Sequence, residues 1–186
     1  FSKRVEKGKM KQEQVDAILA LLKTATDLKT AAADADFVIE AVPEDIELKK
    51  KIFAELDRIC KPGTVLASNT SVLPLTAIAG ATERKDKVVG THFFNPAAVM
   101  KLVEVVMPIG VAPETVETAF AVCRKMGKVP VKTKDTPGFI VNRLLGPLYM
   151  EAAQMVLEGT ATAEDIDTAM KLGAGHLRGW KRVAVV

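Results

Sequence analysis

Apolar residues along the chain follow two rhythms. Short runs rich in Val and Ile, closed by Gly, Pro, Asn or Asp, read as buried strands: FVIEAV (37–42), TVLAS (64–68), VVGTHFF (88–94), LVEVVM (102–107) and VPVKT (129–133). Between several of them the spacing lengthens to a helical period. In ELKKKIFAELDRICKPG the apolar phase is Leu48, Ile52, Phe53, Leu56, Ile59 and Cys60, and Pro62-Gly63 stops it. In APETVETAFAVCRKMG the phase is Val116, Ala119, Phe120, Cys123 and Met126, with Arg124 and Lys125 in the last turn and Gly127 beyond. Strands alternating with crossover helices predict an α/β fold with a mainly parallel sheet covered on both faces.

After Asp135 the strand rhythm stops. Thr136-Pro137 has the chemistry of an N-cap followed by the first helical position, so the pattern predicts a long apolar helix from there through Leu157, kinked at Gly146-Pro147 and ended by Gly159. Thr162 to Asp165 is a capping box for a second helix, DIDTAMKLG. The expected division is an α/β domain over 1–134 and the start of an all-helical domain over 135–186.

Composition and charge narrow the class. A chain of 186 residues that is 48% hydrophobic can bury a core, and its net charge of +3 gives no argument for nucleic acid or a membrane surface as partner. FSKRVEKGKMK at the start carries five basic side chains against Glu6 alone, a pattern suited to a solvated face or to a patch that meets a phosphate-bearing ligand. Cys60 and Cys123 have no metal or disulfide spacing and sit on apolar helical phases, as buried thiols of a reducing, cytoplasmic compartment would. There is no apolar run of the roughly 18 residues needed to span a bilayer, and no signal-peptide core. The start at Phe1 rather than Met leads to the expectation of a piece of a longer protein.

Chemistry concentrates at a few positions. Glu44 follows the first strand run, where ligands sit in open α/β sheets, and is better placed for a site than Glu40 within the run. The SNTS turn, 68–71, offers hydroxyls and an amide at the end of the second run, although it is also ordinary turn chemistry. His92 and Glu104 are polar groups set into apolar strands. A buried carboxylate is costly unless paired, and a histidine oriented by a carboxylate is the usual general base near neutral pH. The same spacing suits a structural ion pair or a glutamate on an exposed face. GAGH at 173–176 follows a helix rather than a strand and has the wrong spacing for a dinucleotide loop, and no GxGxxG occurs in the chain.

ASNTSVLPLTAIA, GTHFFNPAAVMKLVEVV and KDTPGFIVNRLL together resemble the 3-hydroxyacyl-CoA dehydrogenase family, including the 3-hydroxybutyryl-CoA dehydrogenases, in order from about residue 20 to Gly175. The resemblance implies a Rossmann-type NAD-binding domain followed by a helical domain with dimer contacts. It implies that His92 takes the proton of a substrate 3-hydroxyl while hydride leaves for NAD, that Glu104 orients His92, and that Ser71 and Asn142 hold the reacting oxygen and substrate. Glu44, Lys49, Ser71 and Asn95 match positions that contact the cofactor or CoA, and the basic first segment falls where the family meets the CoA nucleotide.

Two departures shape the expectation. The family's first strand, glycine loop and ribose-binding acid have no counterpart here, and after KLGAGH the tail LRGWKRVAVV reads as substituted. An internal piece with little activity as an isolated chain is therefore expected, its parent a homodimer acting on acyl-CoA with no metal. A noncatalytic remnant that binds acyl-CoA or pairs with another subunit is the alternative. Enzymes of the lambda-crystallin or L-gulonate dehydrogenase type share parts of the motifs, but MKLVEV and TPGFIVNRLL favour acyl-CoA.

Overall fold

The structure is a computed structural model that describes residues 1–176. The substituted tail expected from Leu177 onward lies outside the described residues. In chain order the elements are α1 (Ser2–Glu6), α2 (Gln12–Ala20), α3 (Leu28–Ala32), β1 (Phe37–Glu40), α4 (Ile46–Ile59), β2 (Val65–Ser68), α5 (Leu75–Ala79), a 3-10 turn (Lys85–Lys87), β3 (Val88–Phe93), β4 (Leu102–Met107), α6 (Pro113–Lys125), β5 (Val129–Lys134), α7 (Val141–Leu157) and α8 (Ala163–Gly173).

All five strand runs become one sheet in the order β1-β2-β3-β4-β5. The pairs β1/β2, β2/β3 and β4/β5 are parallel, and β3/β4 is antiparallel. That reversal follows from chain length: the 94–101 connection is too short for a crossover, whereas α4 and α6 lie within longer ones. The antiparallel register sets His92 directly opposite Glu104.

Period-2 alternation sorts the strand side chains onto two faces. Leu66, Val88 and Val106 meet Phe53 and Leu56 of α4 and Leu75 and Ile78 of α5. Val65, Ala67, Val89, Val103 and Val105 meet Val116, Ala119 and Cys123 of α6. Each such side chain stabilises the fold by about 1.5–3 kcal/mol relative to exposure. Asp45 caps α4 by accepting the N–H groups of Glu47 and Leu48, and Pro113 opens α6. Leu48 and Met126, read as core from their period, lie at the surface because they end the apolar arc of their helices. Gly90 permits a close approach, since a Cβ there would stand 2.6 Å from Cβ of Val106 and 3.0 Å from Leu75.

The long helix starts later than Thr136-Pro137 predicts. Gly138 (φ 76°) and Phe139 (φ 52°) are left-handed, a conformation a right-handed helix cannot contain, so α7 begins at Val141. It then runs through Gly146 and Pro147 to Leu157. Half of the expected capping box forms: the Thr162 hydroxyl accepts the Asp165 N–H, and the Asp165 carboxylate accepts that hydroxyl rather than the Thr162 N–H. α7 and α8 share a small cluster built on Ala152 and Ile166.

Candidate active site

The antiparallel pairing of β3 with β4 builds the centre. His92 Nδ1 lies 2.7 Å from Glu104 Oε2, with His92 4% and Glu104 0% exposed. A carboxylate only accepts, so Nδ1 carries the proton and Nε2 presents its lone pair. The second oxygen, Glu104 Oε1, accepts the backbone N–H groups of Ile140 at 3.0 Å and Val141 at 2.9 Å. Those are orphan donors at the start of α7, so the carboxylate orients the histidine and seats the helix that carries Asn142. Two rings fix the imidazole further: Phe94 at 4.6 Å and Phe139 at 5.4 Å between centroids.

A second cluster forms where β1 and β2 end side by side. Glu40 lies beside Ser68 in the parallel register, and its carboxylate accepts the Ser68 hydroxyl at 2.7 Å and the Lys49 ammonium at 2.8 Å. Lys49 comes from the first turn of α4 and also reaches Glu44 Oε2 at 3.3 Å and the Val42 carbonyl at 3.1 Å. Lys49 is 1% exposed. Its ammonium is held by Glu40, Glu44 and the Val42 carbonyl at the carboxyl end of β1. It reaches the surface only through Glu44.

Glu44 in turn holds the turn after β2. Its Oε1 accepts the Thr70 hydroxyl and the N–H groups of Ser71 at 2.8 Å and Val72 at 3.2 Å. Burial opposes the charge on Glu44, but the Thr70 hydroxyl, the two N–H groups and the Lys49 ammonium outweigh it and hold its carboxyl below the usual glutamate value. On the other side, Asn69 Oδ1 accepts the Phe93 N–H at 2.8 Å, tying the turn to the residue after His92.

Among the described residues, the Ser71 hydroxyl and the carboxamides of Asn95 and Asn142 have no hydrogen-bond partner. The structure thus brings His92 and Glu104 into contact, joins Asn142 to them through the start of α7, and joins Glu44 to Ser71 and Lys49. Asn95 is exposed two residues beyond β3. Sequence reasoning flagged Asn69 and Thr70 within the SNTS turn without their partners, ranked Glu40 below Glu44, and missed Phe94, Asp135 and Phe139. For Glu40 a signal existed, a carboxylate in an apolar run with a lysine nine residues on. The others depend on contacts between distant segments.

Among the described residues no cluster of His, Cys, Asp and Glu suits a metal ion, and no helix is long and apolar enough to cross a membrane. Ser71 and Asn95 stand just past the carboxyl ends of β2 and β3, the edge where open α/β sheets take a dinucleotide, while no GxGxxG loop is present to seat its pyrophosphate.

Residues 1–136 match the family described as 3-hydroxyacyl-CoA dehydrogenase, NAD binding domain, and residues 138–184 match 3-hydroxyacyl-CoA dehydrogenase, C-terminal domain. The chain is 47% identical over 177 residues to the mitochondrial hydroxyacyl-coenzyme A dehydrogenase of Mus musculus, covering 95% of this chain and 56% of that protein. It is 44% identical over 179 residues to the 3-hydroxybutyryl-CoA dehydrogenase of Clostridioides difficile, covering 96% of this chain and 63% of the relative. The crystal structure of (S)-3-hydroxybutyryl-CoA dehydrogenase from Ralstonia eutropha superposes with a TM-score of 0.91 at 38% identity, covering 96% of this chain and 62% of that one. The chain therefore spans a little over half the length of these relatives. On the matched domains and the level of identity, it belongs to the 3-hydroxyacyl-CoA dehydrogenase family.

Proposed function

We propose that the protein oxidises the 3-hydroxyl of an L-3-hydroxyacyl-CoA to the ketone, or runs the reverse reduction, with NAD as its redox partner. The observation that carries this reading is the buried His92–Glu104 pair, whose histidine keeps Nε2 available while the carboxylate fixes its tautomer. When bound, NAD supplies the acceptor for the hydride that leaves C3. His92 Nε2 takes the hydroxyl proton, and Glu104 2.7 Å behind Nδ1 stabilises the imidazolium that forms. In the reverse direction the carbonyl oxygen gains negative charge, and the Ser71 hydroxyl and Asn142 carboxamide serve as neutral donors to it. Glu44, Ser71 and Asn95 are the residues of this chain that hold the cofactor side of the site, with Lys49 acting behind Glu44.

Two further parts of the reading concern setting. Exposed apolar residues on α7 and α8 support a homodimer through the helical region. The two buried, unpaired thiols, whose pKa values burial raises, suit a reducing compartment such as the cytoplasm.

The test is NADH oxidation by the intact protein with acetoacetyl-CoA. A His92→Gln variant should lose at least about 100-fold in turnover, the scale of a general base, with an unchanged melting profile. Normal turnover in that variant would sink the assignment. Calorimetric binding of acetoacetyl-CoA by the unmodified protein with no hydride transfer would favour a noncatalytic binding role instead.

A further inference from the structure

The turn that carries Ser71 is gripped from two sides. Glu44 holds its near end through Thr70, Ser71 and Val72. At its far end Asp135 does the same. Asp135 Oδ1 accepts the Leu75 N–H at 3.1 Å, and Oδ2 accepts the Thr76 N–H at 2.7 Å and the Thr76 hydroxyl at 2.6 Å. Thr76 Oγ1 is held in place by the Ile109 N–H at 3.2 Å, and the Asp135 N–H is bonded to the Met107 carbonyl at 3.2 Å, at the end of β4. Both oxygens of that carboxylate are therefore committed to the first two residues of α5, which follow the turn directly.

Asp135 is also the first residue of a strap, 135–141, that reaches His92 and Glu104. Phe139 packs 5.4 Å from the His92 ring, and the Ile140 and Val141 N–H groups bind Glu104. Asn142 follows directly. Phe139 holds a left-handed conformation (φ 52°) while 3% exposed, a strained state that persists only where the surroundings over-determine it.

We propose that Asp135 is a positioning residue, which sets the Ser71 turn in register with the strap that braces His92 and carries Asn142. The proposal rests on the dehydrogenase reading. Ser71 and Asn142 come from segments far apart in sequence; Phe139 shares a core cluster with Leu75, against which Leu73 packs, and Asp135 adds the hydrogen bonds that join the strap to the residues just after the turn. Small misplacements of a substrate-holding group cost large factors in rate, so the link is expected to act on turnover.

Asp135→Asn is nearly isosteric but places an NH2 donor where Oδ2 receives two donors. In the intact protein, with acetoacetyl-CoA and NADH, it should lower kcat about tenfold or more while KM moves less than about threefold. In a Ser71→Ala background the same change should cost less than about threefold, because the group it positions is gone. Equal losses in the two backgrounds, or no loss in the first, would overturn the proposal. If Asp135→Asn does not fold, Thr76→Val, which removes one of the three donors, goes through the same cycle: a loss that shrinks in the Ser71→Ala background supports the proposal, and an equal or absent loss overturns it. Inactivity of the unmodified full-length protein would instead overturn the dehydrogenase reading and this proposal with it, whereas an active full-length protein with an additive cycle removes this proposal alone.

Discussion

Lys49 matches a cofactor-contact position by resemblance, and in the structure its ammonium is 1% exposed and bound to Glu40, Glu44 and the Val42 carbonyl. Removing one member of a buried pair leaves an uncompensated charge. Lys49→Met should therefore destabilise the intact protein by about 3–5 kcal/mol in urea unfolding, and adding Glu40→Leu should restore much of it. No recovery in the double variant would mean that the Ser68 hydroxyl and the Val42 N–H hold Glu40 without Lys49. His92 and Glu104 stood out because their polarity interrupts apolar strand runs, whereas their pairing, rather than an exposed glutamate, comes from the β3/β4 register. Asp135 did not, because its donors at Leu75 and Thr76 lie 60 and 59 residues away. Nothing in the local sequence at KDTPG announces that partner.

At the level of elements, strand identity and helix phase came directly from the spacing of apolar residues, because burial on a sheet face or helix stripe is what selects those residues. The start of α7 did not, since Thr136-Pro137 has the local chemistry of a cap while the real partner for the helix start is Glu104, 36 residues before Ile140. The Ser71 turn is a second element defined by a distant carboxylate, and it gives a pH prediction. Glu44 has its folded pKa lowered: burial opposes the charge, and the Thr70 hydroxyl, the Ser71 and Val72 N–H groups and Lys49 together outweigh it. Its contribution to stability is thus fully present above the ordinary glutamate pKa and is lost as pH falls through the lowered, folded value. The stability difference between the native protein and Glu44→Gln should be constant near neutrality and shrink toward zero in acid, below the ordinary glutamate range. A difference that grows on acidification would contradict this assignment.

Across the whole molecule, the two regions bury their apolar surface unequally. The sheet and its helices enclose two clusters that include fully buried Phe53, Leu66, Leu75, Val89 and Val103, whereas the small cluster shared by α7 and α8 has Ala152 and Ile166 as its buried apolar members. On α7, Met150 is 75% and Leu157 67% exposed, and seven residues apart they lie on one side of the helix; Leu172 of α8 is 84% exposed. A helical region that leaves such a row in water gains most by covering it, and in a two-fold dimer one residue is buried twice. Burying a Met or Leu side chain stabilises by about 1.5–3 kcal/mol, so Met150→Glu with Leu157→Glu acts on both copies and should raise the dimer dissociation constant of the intact protein by about 100-fold or more. Sedimentation across a concentration series reads this directly. A native protein that is dimeric and stays so in the double variant would place the contact on another face. A native protein that is monomeric at all concentrations would mean that the same chain covers the row, and the second-copy reading would fall.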